Sequence, residues 1–205
     1  MATNLQYKKG QTDADLLIAY VFYKRGLYAE SLGLLGKILP DYQEVDDTEK
    51  IIRVYLDMVE VLNKGIADRP KIKSLLQKTI QTGKKLQKDS IMAEVYISYC
   101  NRNSDLSTDS INHYLGKSRE IANRYKDEAS LIFIRIWEAR FLVLDKKIQE
   151  ALPLIKQLIS DSRRIDNSNL EINSLFLMTG CYEDKPKIAL NYFYQAYEVA
   201  KKNGN

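Results

Sequence analysis

Histidine occurs once in the 205-residue chain, cysteine twice, proline four times and glycine nine times. Each scarcity excludes something. A single histidine, His113, is a poor basis for acid–base or metal chemistry, and its place between Asn112 and Tyr114 inside a predicted helix suits a surface or half-buried structural residue. Cys100 and Cys181 have no C-x-x-C spacing, so neither a zinc site nor a disulfide framework can be read from them, and both are expected to be buried as small apolar residues. Few prolines and glycines argue against a turn-rich all-β fold. The sequence contains no phosphate loop, dinucleotide fingerprint or serine elbow. It also lacks an apolar run long enough for a membrane span, and its first residues lack a signal-peptide pattern.

Charge is plentiful but unpolarised: 31 Lys and Arg against 27 Asp and Glu give +4, shared evenly between the two halves. A nucleic-acid binder concentrates cations on one element, because its affinity comes from counterion release along a phosphate backbone. Here the short basic clusters Lys84/Lys85/Lys88, Lys146/Lys147 and Arg163/Arg164 fall at predicted helix ends, where cations complement the dipole. Direct nucleic-acid binding is not expected. A hydrophobic content of 45% excludes disorder and leaves an all-α chain as the default.

The fold follows from a repeat. Ala189, Phe193, Ala196 and Ala200 form a small–large–small–small stripe at i, i+4, i+7 and i+11. The same offsets recur at Ala151/Ile155/Leu158/Ser162, Ile111/Leu115/Ser118/Ala122, Ile72/Leu76/Thr79/Gly83 and Ser31/Leu35/Ile38/Tyr42, spaced by 38 to 41 residues. Short side chains at these offsets let two helices of a hairpin approach closely; Gly33 and Gly36 are expected to serve the same purpose. An amphipathic segment precedes each stripe, over 13–24, 48–63, 90–101, 128–144 and 169–182. Asp13, Asp47, Asp89 and Asn167 are the expected N-caps, with Thr108 or Asp109 opening the second helix of the third unit. Gly26 suits a turn, Pro70, Pro153 and Pro186 suit early helical positions, and Pro40 is expected to end or kink its helix. Basic, polar connectors close the later units at 84–89, 124–127, 163–166 and 201–204. The units run over about 13–46, 47–88, 89–126, 127–166 and 167–205.

Ala189-x3-Phe193-x2-Ala196, and Ala19, Phe22, Gly26, Tyr28, Ser31, Leu35 and Ile38 in the first unit, resemble tetratricopeptide repeats. The fourth unit matches through Ala139, Leu142, Ile148, Ala151, Ile155 and Leu158. The second and third depart most, because Ile72 and Ile111 replace the small residue that opens the stripe. The resemblance implies a right-handed α-solenoid of about five antiparallel helix pairs forming a single domain. It further implies a non-catalytic protein- or peptide-interaction module of the regulatory or sensor type found in bacterial transcription regulators and kinases, needing no cofactor and no metal. A structural scaffold or self-association unit is the alternative. A cytoplasmic location is expected, or else an extracytoplasmic place in a membrane-anchored sensor.

In this family the first helix of each pair lines the groove, which makes Tyr20, Lys24, Tyr55, Tyr96, Asn101, Arg135, Arg140 and Asn173 the candidate peptide-binding residues. The Lys/Asn pattern of the family's chaperone-tail clamps is not repeated in matching positions. Arg135 and Arg140 either grip a carboxylate through the guanidinium fork or pair with Glu138 and Asp145 on their own helix. Tyr20/Tyr23, Tyr96/Tyr99 and Tyr194/Tyr197 lie three apart and share a face, serving either inter-repeat packing or recognition. The last helix carries more apolar bulk than one preceding helix should bury. The expectation is therefore an uncapped or fragmentary array that forms a homodimer through Tyr194 and Tyr197.

Overall fold

Periodic apolar stripes with few breakers yield ten α-helices among the described residues and no strand. The computed structural model describes residues 2–103 and 105–203, with side chains from Lys9 onward; Gly204, in the last predicted connector, and Asn205 lie outside them. The helices are α1 (Ala2–Lys24), α2 (Tyr28–Glu44), α3 (Thr48–Gly65), α4 (Arg69–Gly83), α5 (Met92–Arg102), α6 (Thr108–Tyr125), α7 (Glu128–Leu144), α8 (Ile148–Arg164), α9 (Ser168–Cys181) and α10 (Pro186–Lys202). None is long and apolar enough to cross a membrane.

The corners share one backbone device. Gly26, Asp46, Lys126, Lys146 and Asp166 adopt the left-handed conformation, with φ between 51° and 77°. In each case the next N–H donates to the carbonyl five residues back, as Asp47 does to Tyr42 at 3.0 Å and Asn167 to Ser162 at 3.0 Å. These bonds satisfy orphan carbonyls at the helix end and turn the chain sharply into the following helix. Ala67 makes the α3–α4 corner in the same conformation, with φ 53°.

The carboxylates of Asp47, Asp68 and Asp127 and the Asn167 amide oxygen accept N–H bonds three residues on, at 3.0–3.2 Å. Other expected caps are corrected. Asp13 lies inside α1, which begins at Ala2; its carboxylate accepts the Tyr42 hydroxyl at 2.8 Å and pairs with Lys50. Asp89 offers its backbone carbonyl to Met92 N–H in a turn before α5, which has no side-chain cap. Ser107 caps α6, accepting from the Ser110 N–H at 3.2 Å, in place of Thr108 or Asp109. Pro40 does not end α2, which continues to Glu44.

Two compact units form, residues 1–117 and 118–205, dividing within α6. In the first, α1 to α5 each pack on the next and α1 also meets α3; side-chain ion pairs join α3 to α5, so α1, α3 and α5 form one layer backed by α2 and α4. In the second, α7 to α10 pack consecutively and α7 meets α9 directly. The large stripe position is buried in the first four units, with Leu35, Leu76, Leu115 and Ile155 at most 5% exposed, while Phe193 in the fifth is exposed. Ser31 at the first stripe is fully buried, and its hydroxyl donates to the Ala19 carbonyl at 2.8 Å across the α1–α2 contact. Gly33 and Gly36 are exposed and a Cβ on either would meet nothing, so they are not close-packing sites. That role falls to Gly65, whose added Cβ would come within 2.7 Å of Tyr28, and to Gly83, against Met92.

Candidate functional site

On α3, apolar residues face α2 and α4, and four charged residues interrupt them at i, i+4, i+7 and i+11: Arg53, Asp57, Glu60 and Lys64. That spacing puts all four on one face, in the α1–α3–α5 layer. Arg53 Nη1 donates to both carboxylate oxygens of Glu94 on α5, at 3.1 and 3.0 Å. About two turns further on, Arg102 Nη2 of α5 donates to both oxygens of Glu60, at 2.8 and 3.0 Å. Asp57 sits between these two pairs and accepts no hydrogen bond from the described residues. Loss of water pushes its carboxyl up to about 6; Arg53 opposes the shift, and Glu94 and Glu60 add to it. The Arg102 Nε–H is likewise buried without a partner.

Beside Asp57 and Glu60 opens a pocket of about 120 Å³, walled by Tyr20, Tyr23, Ala19, Ser31, Leu35 and Val61. Tyr20 and Tyr23 come from successive turns of α1, with ring centroids 6.3 Å apart. Burial, and secondarily the Glu60 charge, raises the Tyr23 phenol to about 12, so it stays a neutral donor. Lys64 Nζ lies 5.5 Å from the Tyr23 ring centroid, whereas Tyr20 is 56% exposed. The arrangement offers apolar walls, two aromatic faces and a desolvated carboxylate.

The other expected groove residues are dispersed. Tyr55 is 8% exposed and belongs to the core, because its place on α3 turns it away from the charged face. Tyr96 stacks on Tyr114 of α6 at 5.8 Å, with Lys117 Nζ 5.7 Å from its ring. Asn101 is half-buried next to Arg102, and Lys24 is exposed at the end of α1. Arg135 donates to Asp161 of α8 at 2.8 Å, so its partner is on the neighbouring helix and not its own. It lines a 440 Å³ cleft whose charges are mutually paired, Arg119 with Glu138 at 2.5 Å and Glu128 with Arg164. Arg140 lies 4.4 Å over the Trp137 ring, and burial lowers its basicity. Asn173 Nδ2 donates to the Asn169 carbonyl at 2.8 Å. Tyr194 and Tyr197 are exposed on α10; the Tyr194 ring is edge-on to Phe193, which in turn meets Phe176 of α9.

Catalytic chemistry finds no foothold in the thiols or the histidine. Burial pushes the Cys100 thiol up to about 12 and raises that of Cys181, and both are buried free cysteines. His113 is exposed, its ring edge-on to Tyr114 at 5.3 Å. Among the described residues no three His, Cys, Asp or Glu side chains converge to hold a metal. Sequence reasoning missed Arg53, Asp57, Glu60, Lys64, Glu94 and Arg102. The available signal was the charged i, i+4, i+7, i+11 series running through an otherwise apolar helix. No protein-family model matches the chain, and no curated protein matches it.

Proposed function

We propose that the chain is a tetratricopeptide-like helical-repeat module that binds a segment of another protein, without catalysis, on the α1–α3–α5 face. One observation carries the reading: a helix face that could have been uniformly solvated instead holds two bidentate ion pairs flanking a desolvated acid, next to exposed Tyr20. Ordered charge beside an apolar recess, presented by parallel-running repeats, suits an extended segment that alternates side chains in and out. A regulatory or signalling role rests on the resemblance alone. Panning a displayed library of peptides of about a dozen residues against the chain tests it. Selected binders should lose roughly tenfold affinity (about 1.4 kcal/mol) on Tyr20→Ala and keep their affinity on Lys185→Ala. The absence of any binder, or binders indifferent to Tyr20, would sink the reading.

A second reading, self-association through α10, has its own support. Phe193 holds the large stripe position that is at most 5% exposed in the four earlier units, yet is 48% exposed here. In α2 and α8 the same position is covered by the next first helix, and α1, itself a first helix, exposes Leu17, Ile18 and Val21. A second copy offering α1 to α10 would cover both. Light scattering over a concentration series should show association that Tyr197→Lys reduces; strictly monomeric behaviour at high concentration rules it out.

A further inference from the structure

We propose that the recess between Tyr20, Tyr23 and Asp57 takes the alkyl cation of a Lys or Arg side chain from the bound segment. The inference rests on the segment-binding reading and names the chemistry its pocket selects.

Size comes first. At about 120 Å³ the recess holds one side chain and not a peptide backbone. Its inner wall is aliphatic, Ala19, Leu35 and Val61, with the Ser31 hydroxyl already committed to the Ala19 carbonyl. A methylene stem is the matching surface. Charge then decides between stems. An aliphatic occupant would seal Asp57 from its remaining water without supplying a donor, and an unpaired buried carboxylate is costly. An anionic occupant would meet Asp57 and Glu60 directly. A cation on a four- or five-atom stem supplies the donor, and the Tyr20 face adds cation–π attraction.

The cations already present do not fill this role. Arg53 is bound to Glu94 and Arg102 to Glu60, each through both carboxylate oxygens. Lys64 lies over Tyr23. These groups, with Tyr20 and Tyr23 on α1, surround Asp57. Arg53 is the nearby charge that holds the Asp57 carboxyl down, and Glu94 and Glu60 push it up. With that carboxyl at about 6, the free pocket is half-protonated near pH 6. A bound cation favours the ionised form, so binding strengthens as pH rises through that value.

The test uses small probes on the whole chain: n-butylammonium and n-butylguanidinium, with n-butanol as the neutral isostere and butyrate as the anion. Amide resonances of Ser31 and Val61 report occupancy. The cations should bind roughly tenfold tighter than butanol at about pH 7.5 and lose most of that preference at about pH 5. Asp57→Asn should remove most of the preference and the pH dependence while leaving butanol binding and the helical circular dichroism unchanged. Tyr20→Leu, at an exposed position, should weaken the cations alone and does not depend on Asp57→Asn folding. Equal binding of butanol and butylammonium, or a cation preference undiminished by Asp57→Asn, overturns the cation pocket. Either result leaves the peptide panning to decide segment binding separately.

Discussion

Asp57→Asn should make the protein more stable at neutral pH, by a margin that grows as pH rises from about 4 to about 6 and is then constant. The carboxyl titrates at about 6 in the folded chain against an ordinary value of 3.8, a difference worth about 3 kcal/mol. The sign follows from proton counts. Between about pH 4 and pH 6 the folded state holds a proton that the unfolded state has released, so stability falls as pH rises through this window. Above it the whole penalty is present; below about pH 4 there is none. Asparagine removes the titration but keeps a polar group that finds no donor at this place, which returns roughly 1 kcal/mol. The net gain at about pH 7.5 is therefore about 1–3 kcal/mol, declining towards zero or below at about pH 4. Urea unfolding followed by circular dichroism, on parent and variant across this range, isolates the Asp57 contribution as the difference between the two curves. A difference that does not change with pH would refute the claim that Asp57 is desolvated by its place between the Arg53–Glu94 and Arg102–Glu60 pairs. A confirmed gain would mean that the parent retains a carboxylate at a cost in stability, as binding sites commonly do.

Gly65→Ala should destabilise by about 1–3 kcal/mol, because the new Cβ falls 2.7 Å from the Tyr28 side chain, close to its backbone; an unchanged urea midpoint would show that the α2–α3 contact is looser than described. Ala67→Gly should stabilise by up to about 1 kcal/mol, since Ala67 is exposed with φ 53° and loses only left-handed strain. A lower midpoint would show that chain entropy outweighs that strain. Arg140→Ala should cost about 1 kcal/mol through the lost stacking on Trp137, with a shift in tryptophan fluorescence as its signature.

The helices and, apart from the start of α1, their approximate limits were legible in the sequence. Each depends on interactions within four residues or on a stripe that recurs at fixed offsets. Asp47 and Asn167 were legible as caps for the same reason, and Gly26 as a turn: the geometry involved is local. Asp13 shows where locality ends. It has the composition of a cap, but α1 starts well before it, and its carboxylate serves Tyr42, 29 residues away. Arg135 carried a recognisable charge whose partner, Asp161, is supplied by another helix 26 residues on. The candidate site is the extreme case. Periodicity alone puts Arg53, Asp57, Glu60 and Lys64 on one face of α3. Only the packing of α1 and α5 on either side brings Glu94 and Arg102 across separations of 41 and 42 residues and turns Asp57 from a solvated surface acid into a desolvated one. Burial and pairing are properties of neighbours distant in the chain, and a one-dimensional pattern specifies which face a residue occupies but not what that face will meet.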